Sequence, residues 1–463
     1  MNNLDKKTPQ PSERRFTRRS ALRLGGMVVG VGLVAACAPG LQAPAPTTAP
    51  AAAATPASAS KPAAGGATQL NNGQPATLRL ASWQWEDPAY KPFWDQTTQA
   101  FTQKYPNIKF DKYSFPIDQL FDKLNTDFAA GSPPDVVELT GFNIFDYASK
   151  DVLEPLDSYW AGTDIPTTVK DQTTYPVWNG KQYALNLSAR TLQLYVNTAL
   201  FDAKNVPLPT TLDEFTAAAK ALTDPTKDQF GLVLVNVAHS RLYESILLLT
   251  AGVGGHFSKD RKPALNSPEV VQAVDYFKSL FDAGVMPKGV KDANGQYSYY
   301  NTGKAAMSID GAWYIAVLKD QGPDVLKTTK ILSIPTQTHA STGGVNNVIG
   351  IAAASKYKDT AAEYLRFITD PKWAQLWTAS SQTISAKAGA VTPEFLAQNP
   401  LFDIFNKDIT KAIQLPPPGL ETSYNAVQKV INDNVVSVLY DNKPTKDAMD
   451  QAQKQVEAIV AKA

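Results

Sequence analysis

TLRLASWQWEDPAYKPFWDQTTQAFTQKYPNIKF, residues 77–110, decides the fold. Leu78 and Leu80 alternate with polar neighbours in a short strand that the pattern carries to Trp83. Phe93, Trp94, Thr97, Phe101 and Tyr105 then recur at helical spacing, and Ile108 and Phe110 return to alternation. Strand, helix, strand is the signature of an α/β architecture. The same rhythm continues outward. Leu120, Phe121, Leu124 and Phe128 mark a helix stopped by Gly131, and Asp135-Val136-Val137 opens a buried strand. Asn179-Gly180 is a hairpin signal, and FGLVLV at 230–235 reads as another buried strand. Thr211 and Glu214 form a capping box ahead of Phe215, Ala218, Ala219 and Leu222. Ser267-Pro268 starts a helix through Val270, Val274, Phe277 and Phe281 that Gly284 ends. Val427, Val430, Ile431, Val435 and Val438 share one helix face, and a last helix follows Pro444.

At 463 residues the chain exceeds what one hydrophobic core usually serves, which predicts two lobes. Forty-four basic against 43 acidic side chains leave no excess for a nucleic-acid backbone. One cysteine excludes a disulfide framework, and His239, His256 and His339 lack ligand spacing, so neither metal nor cofactor is expected. Residues 1–36 read as an export signal. Arg18-Arg19 looks like a twin-arginine pair, and the apolar run from Leu24 to Ala36 is too short to span a bilayer. Val34-Ala35-Ala36-Cys37 resembles a lipoprotein cleavage box, with the only cysteine placed to carry lipid. Residues 37–76 follow as an Ala/Pro-rich tether that cannot bury enough apolar area to fold. The expected location is the outer face of the cytoplasmic membrane, held there by the lipid.

Six stretches then carry a family likeness: LFDKLNTDFAAGSPPDVVEL (120–139), GKQYALNLSARTLQLYVNTALF (180–201), LPTTLDEFTAAAKALT (208–223), YNTGKAAMSIDGAW (300–313), DTAAEYLRFITDPKWAQLW (359–377) and PTKDAMDQAQKQV (444–456). In that order they resemble the extracellular solute-binding proteins of ABC importers, the group that includes maltose-binding proteins. The resemblance implies a two-lobed periplasmic-binding-protein-like α/β fold with hinge crossings near 186–190, 343–347 and 392–400. It divides the body into lobe 1 (77–187 and 346–395) and lobe 2 (188–345 and 396–463). It further implies a monomer that holds a sugar or other small polar solute in the interlobe cleft and delivers it to membrane permease subunits.

Open α/β sheets bind ligands beyond the carboxyl ends of their strands. That rule singles out Trp83, Trp85 and Glu86 after the first strand, and Thr140 with Phe142 after the strand at 135–139. Asn236 and His239 follow the strand at 230–237. Trp313 follows a short apolar strand, and Gly311 before it permits close backbone approach. An indole offers a platform for the C–H face of a pyranose, beside side chains that bond its hydroxyls. The resemblance adds Arg190 in the first crossing, Gly344 in the second and Tyr424 at the start of the long C-terminal helix. The alternative is an exported carbohydrate hydrolase, for which Glu86, Asp87 and Glu138 could supply the two carboxyl groups such chemistry needs. No G-x-S-x-G elbow and no phosphate loop accompany them.

Overall fold

Two sheets, each covered on both faces, organise the chain. The computed structural model describes residues 69–462 apart from 172–174, 339–340 and 414. Arg18, Arg19, Cys37, His339 and the tether up to residue 68 lie outside the described residues.

The first sheet orders its strands Ile384–Ser385, Leu185–Thr191, Ser341–Ile351, Val136–Thr140, Ala76–Ala81 and Ile108–Tyr113, with Ala412–Ile413 beside the start of Ser341–Ile351. Ala76–Ala81 runs parallel to both of its neighbours, pairing Leu78 with Phe110 and Leu80 with Val136. Its alternation puts Leu78 and Leu80 into a core shared with Trp94 and Phe101 of the helix Lys91–Lys104. The opposite face buries Ala81, Val137 and Leu139 against Leu120, Leu124 and Phe145.

The second sheet orders Thr329–Leu332, Gln193–Asn197, Ala305–Asp310 and Phe230–Val233. Leu194, Val196, Leu232 and Met307 face one core, while Tyr195, Val233 and Ala305 face another. The sequence punctuation is visible in its helices. The Thr211–Glu214 capping box is formed, and Ser267 caps Pro268–Asp282, which ends before Gly284 at φ +66. Asn179 and Gly180 both take positive φ at the hairpin between Val177–Trp178 and Lys181–Gln182, as a primed turn requires.

A single residue, Leu192, separates the strand Leu185–Thr191 of the first sheet from Gln193–Asn197 of the second. Beside it, Ser341–Ile351 is antiparallel to Leu185–Thr191, with its register broken on both sides of Asn347. A bulge of this kind bends a strand and re-aims its side chains.

One expectation fails locally. The first strand ends at Ala81, not Trp83, and residues 83–86 form a turn. The last ladder bond runs from Ser82 N to Tyr113 O, after which Ser82 Oγ accepts the Gln84 amide at 3.0 Å and turns the chain. Alternation therefore does not extend to Trp83 and Trp85, and the two indoles part company.

Candidate functional site

A cavity of about 450 Å³ opens between the two sheets. Strand ends and the loops beyond them supply most of its wall, as the geometry of α/β sheets dictates.

The first sheet contributes Trp83, Gln84, Asp87, Thr140, Phe142 and Asn347. Trp83 is half-buried, its ring tilted against Phe121 at 5.8 Å. Gln84 is buried, and its Oε1 has no hydrogen-bond partner among the described residues. Thr140 donates from both backbone N and Oγ1 to Asn143 Oδ1, which shapes the loop that carries Phe142. Phe142 stacks on Tyr424 at 5.1 Å and 12°, so Tyr424 stands buried behind the wall.

The second sheet and its helices contribute Arg241, Glu244, Gln296 and Trp313, and Arg190 reaches toward them from the crossing strand Leu185–Thr191 of the first sheet. Two ion pairs dominate this side. Arg190 donates to Glu244 at 2.5 Å, and its guanidinium lies 5.1 Å from the Phe142 ring and 5.8 Å from the Trp313 ring. Arg241 donates to the fully buried Asp310 at 2.6 Å and to the Tyr297 hydroxyl at 3.0 Å. Against the cost of burial, the charge and hydrogen bond of Asp310 hold the Arg241 pKa above its ordinary value. Gln296 donates to Ser308 Oγ at 2.9 Å and to the Ile309 carbonyl at 3.0 Å. Trp313 lies flat over Gly311, where a Cβ would fall 2.0 Å from its ring, so the glycine serves close approach.

Other residues singled out by sequence stand elsewhere. Trp85 is buried in the core, stacked on Trp94 at 5.7 Å. Glu86 is exposed beside Lys91, 4.0 Å away, and does not line the cavity. Asn236 is fully buried. It donates to the Leu234 and Pro287 carbonyls and accepts from the Gly289 amide and the Tyr440 hydroxyl, which ties a loop to the long C-terminal helix. His239 caps the helix Ser240–Gly252, its Nδ1 accepting the Arg241 amide at 3.1 Å. Burial and the neighbouring Arg241 hold its pKa below the ordinary value, which keeps Nδ1 free to accept. Gly344 pairs through its backbone with Arg190.

Arg241, Glu244, Ser245 and Leu248 line the cavity but drew no notice in sequence. Their signal is the helical spacing of one face, starting two residues after His239. Among the described residues no cluster of His, Cys, Asp and Glu is arranged to hold a metal, and no helix is long and apolar enough to cross a membrane.

A match to the family described as bacterial extracellular solute-binding protein spans residues 82–375. A maltotriose-binding protein of Pyrococcus abyssi is 22% identical over 348 residues, covering 73% of this chain and 74% of that one. The cyclic α-maltosyl-1,6-maltose binding protein from Arthrobacter globiformis superposes with a TM-score of 0.73 at 19% identity, over 84% of this chain and 100% of that one. An ABC transporter solute-binding protein from Thermotoga lettingae, bound with α-D-tagatose, gives a TM-score of 0.71 at 20% identity, over 84% and 100%. At such identities these structures share the two-lobed periplasmic-binding-protein-like fold.

Proposed function

We propose that this chain, which belongs to the bacterial extracellular solute-binding proteins, takes an uncharged sugar, oligosaccharide or polyol into the cavity and hands it to the permease of an ABC importer. The observation that carries the reading is the pairing of half-exposed indoles, Trp83 and Trp313, on opposite walls of one cavity that also holds Gln84, Thr140 and Gln296. Indoles suit the C–H face of a sugar ring, and amides and hydroxyls suit its edge. The arginines on the wall already face carboxylates, so little positive charge is left for an anionic solute. A solute touching both walls gains contacts on closure and shifts the population toward the closed state.

The carboxylates favour binding over hydrolysis. Of Glu86, Asp87 and Glu138, only Asp87 lies on the cavity wall. The other wall carboxylate, Glu244, is engaged by Arg190. The same reading makes the protein a monomeric lipoprotein, exported through Arg18 and Arg19 and anchored by Cys37.

A thermal-shift screen against neutral sugars, oligosaccharides and polyols, with the matching sugar acids beside them, tests the solute class. A ligand bound only to the native state must raise the melting temperature. Stabilisation by a neutral member, recovered chemically unchanged, supports the reading. Cleavage of the sugar, or no stabilisation by any of them, overturns it. For the anchor, Cys37→Ser should abolish fatty-acid labelling, and continued labelling defeats that part.

A further inference from the structure

Behind the first wall lies a buried carboxyl group that no cation among the described residues neutralises. Glu138 sits in the strand Val136–Thr140 with no exposed surface. Ser82 donates to its Oε2, and Asn347 Nδ2 donates to its Oε1 at 3.1 Å. Both partners reach onward. Ser82 Oγ holds the backbone amide of Gln84, and Asn347 Oδ1 accepts from Ser188 of the crossing strand Leu185–Thr191 at 2.8 Å. Asn347 is also the residue at which the register of Ser341–Ile351 breaks. One carboxyl group thus joins the turn that aims Trp83 and Gln84 to the bulge beside the crossing between sheets.

We propose that Glu138 is a positioning residue for solute binding, holding Gln84 and Asn347 in place on the cavity wall through Ser82 and the hinge bulge. This rests on the cavity between the sheets being the solute site. Glu138 does not line the cavity, so its action is through its partners.

The network has two protonation states with different consequences. As a neutral acid, Glu138 donates its proton to Ser82 Oγ and accepts from Asn347 Nδ2. As a carboxylate, it accepts from both and remains a charge without a counter-ion. No lysine or arginine among the described residues forms an ion pair with it, and the titratable group that feels its charge is Tyr90, itself held neutral by burial. Desolvation by burial raises the Glu138 pKa to about 8, against the opposing bonds from Ser82 and Asn347. The neutral acid therefore organises the wall at neutral pH, and ionisation draws water toward the buried charge and loosens the turn.

The test uses the purified chain with maltotriose as probe, and hydrogen exchange at the Gln84 amide as a readout that needs no solute. From about pH 6 to about pH 10, maltotriose affinity in the wild type should fall on the order of tenfold, and Gln84 protection should fall with it. Glu138→Gln, which mimics the neutral acid, should hold both steady. Parallel pH profiles in the wild type and Glu138→Gln overturn the proposal. If maltotriose and other sugars do not bind but the Gln84 profile differs between the two as stated, the solute assignment falls and the positioning role stands. Should Glu138→Gln not fold, Ser82→Ala keeps the carboxyl and deletes a bond to its charged form. Because Ser82 Oγ also accepts the Gln84 amide, the midpoint is read here from the pH dependence of maltotriose affinity and of the melting temperature; it should move to higher pH, and an unmoved midpoint overturns the proposal.

Discussion

The two walls of the cavity are held by opposite chemistry. On the first sheet a lone buried carboxyl, Glu138, works through hydrogen bonds with Ser82 and Asn347. On the second, Arg241–Asp310 is an ion pair with a close contact, and Glu244 is engaged by Arg190 reaching across from the first sheet's crossing strand. A neutral network depends on one proton, whereas an ion pair stays set across the physiological range but fails badly when one partner is removed. The first wall should therefore be the pH-sensitive one and the second the mutation-sensitive one.

The sharpest break concerns Asp310. Replacing it with Ala leaves Arg241 facing a buried void, and breaking such a pair costs about 3–5 kcal/mol. Denaturant unfolding of Asp310→Ala should show that loss. Arg241→Met with Asp310→Leu should recover much of it, since removing both charges removes the uncompensated one. Equal losses in the single and double variants would mean that packing, not charge, is what holds this wall.

Of similar size is the contrast between two neighbouring indoles. Trp85→Ala should cost about 3–5 kcal/mol of stability by opening a cavity beside Trp94, with solute affinity per folded molecule unchanged. Trp83→Ala and Trp313→Ala should do the reverse. Each should weaken binding by about 1–3 kcal/mol in calorimetric titration, with smaller losses of stability. Gly311→Ala should act as a mild form of Trp313→Ala, because its Cβ would meet the indole at 2.0 Å and push the ring off its seat.

These indoles also show how far the sequence was legible. Alternation and helical spacing located the strands and helices around Leu78, Phe101, Val136 and Val270, because burial on one face is a local, periodic property. The rule of strand ends brought Trp83, Thr140 and Trp313 to one cavity. It could not separate Trp83 from Trp85, because the Ser82 turn that parts them depends on Glu138, fifty-six residues away. Arg241 and Glu244 were missed for a related reason. They lie in SRLYESILLLTAG (240–252), whose apolar residues announce a core helix. Which polar residues of that helix face a cavity is decided by the opposing sheet. Asn236 drew attention at a strand end, yet its bonds to Pro287, Gly289 and Tyr440 become visible only when those segments are brought together.

On the first wall, the pKa of Glu138 stands well above the value of an unfolded chain, so between about pH 4.5 and about pH 8 the folded protein holds the extra proton. Stability from this group is complete at the acid end of that window and lost as pH rises through it. Comparing the melting temperatures of the wild type and Glu138→Gln across the window should isolate the slope, which the variant lacks.

The smallest expected effect has the opposite sign and lies on the second wall. His239 is held neutral by burial and by Arg241, so its folded pKa lies below that of the unfolded chain. Its contribution is complete above about pH 6.5 and is lost as pH falls toward the lower folded value, because the unfolded chain then binds the extra proton. The cause is concrete: a protonated Nδ1 can no longer accept the Arg241 amide, and the helix Ser240–Gly252 loses its cap. His239→Ala should cost about 1 kcal/mol at neutral pH, the range of a side-chain cap, and progressively less on acidification. His239→Asn, which can cap without titrating, should keep the stability and flatten the acid limb. If His239→Ala instead abolishes solute binding while melting unchanged, His239 is a solute contact, and the division of this wall into ion pairs and a supporting cap is wrong.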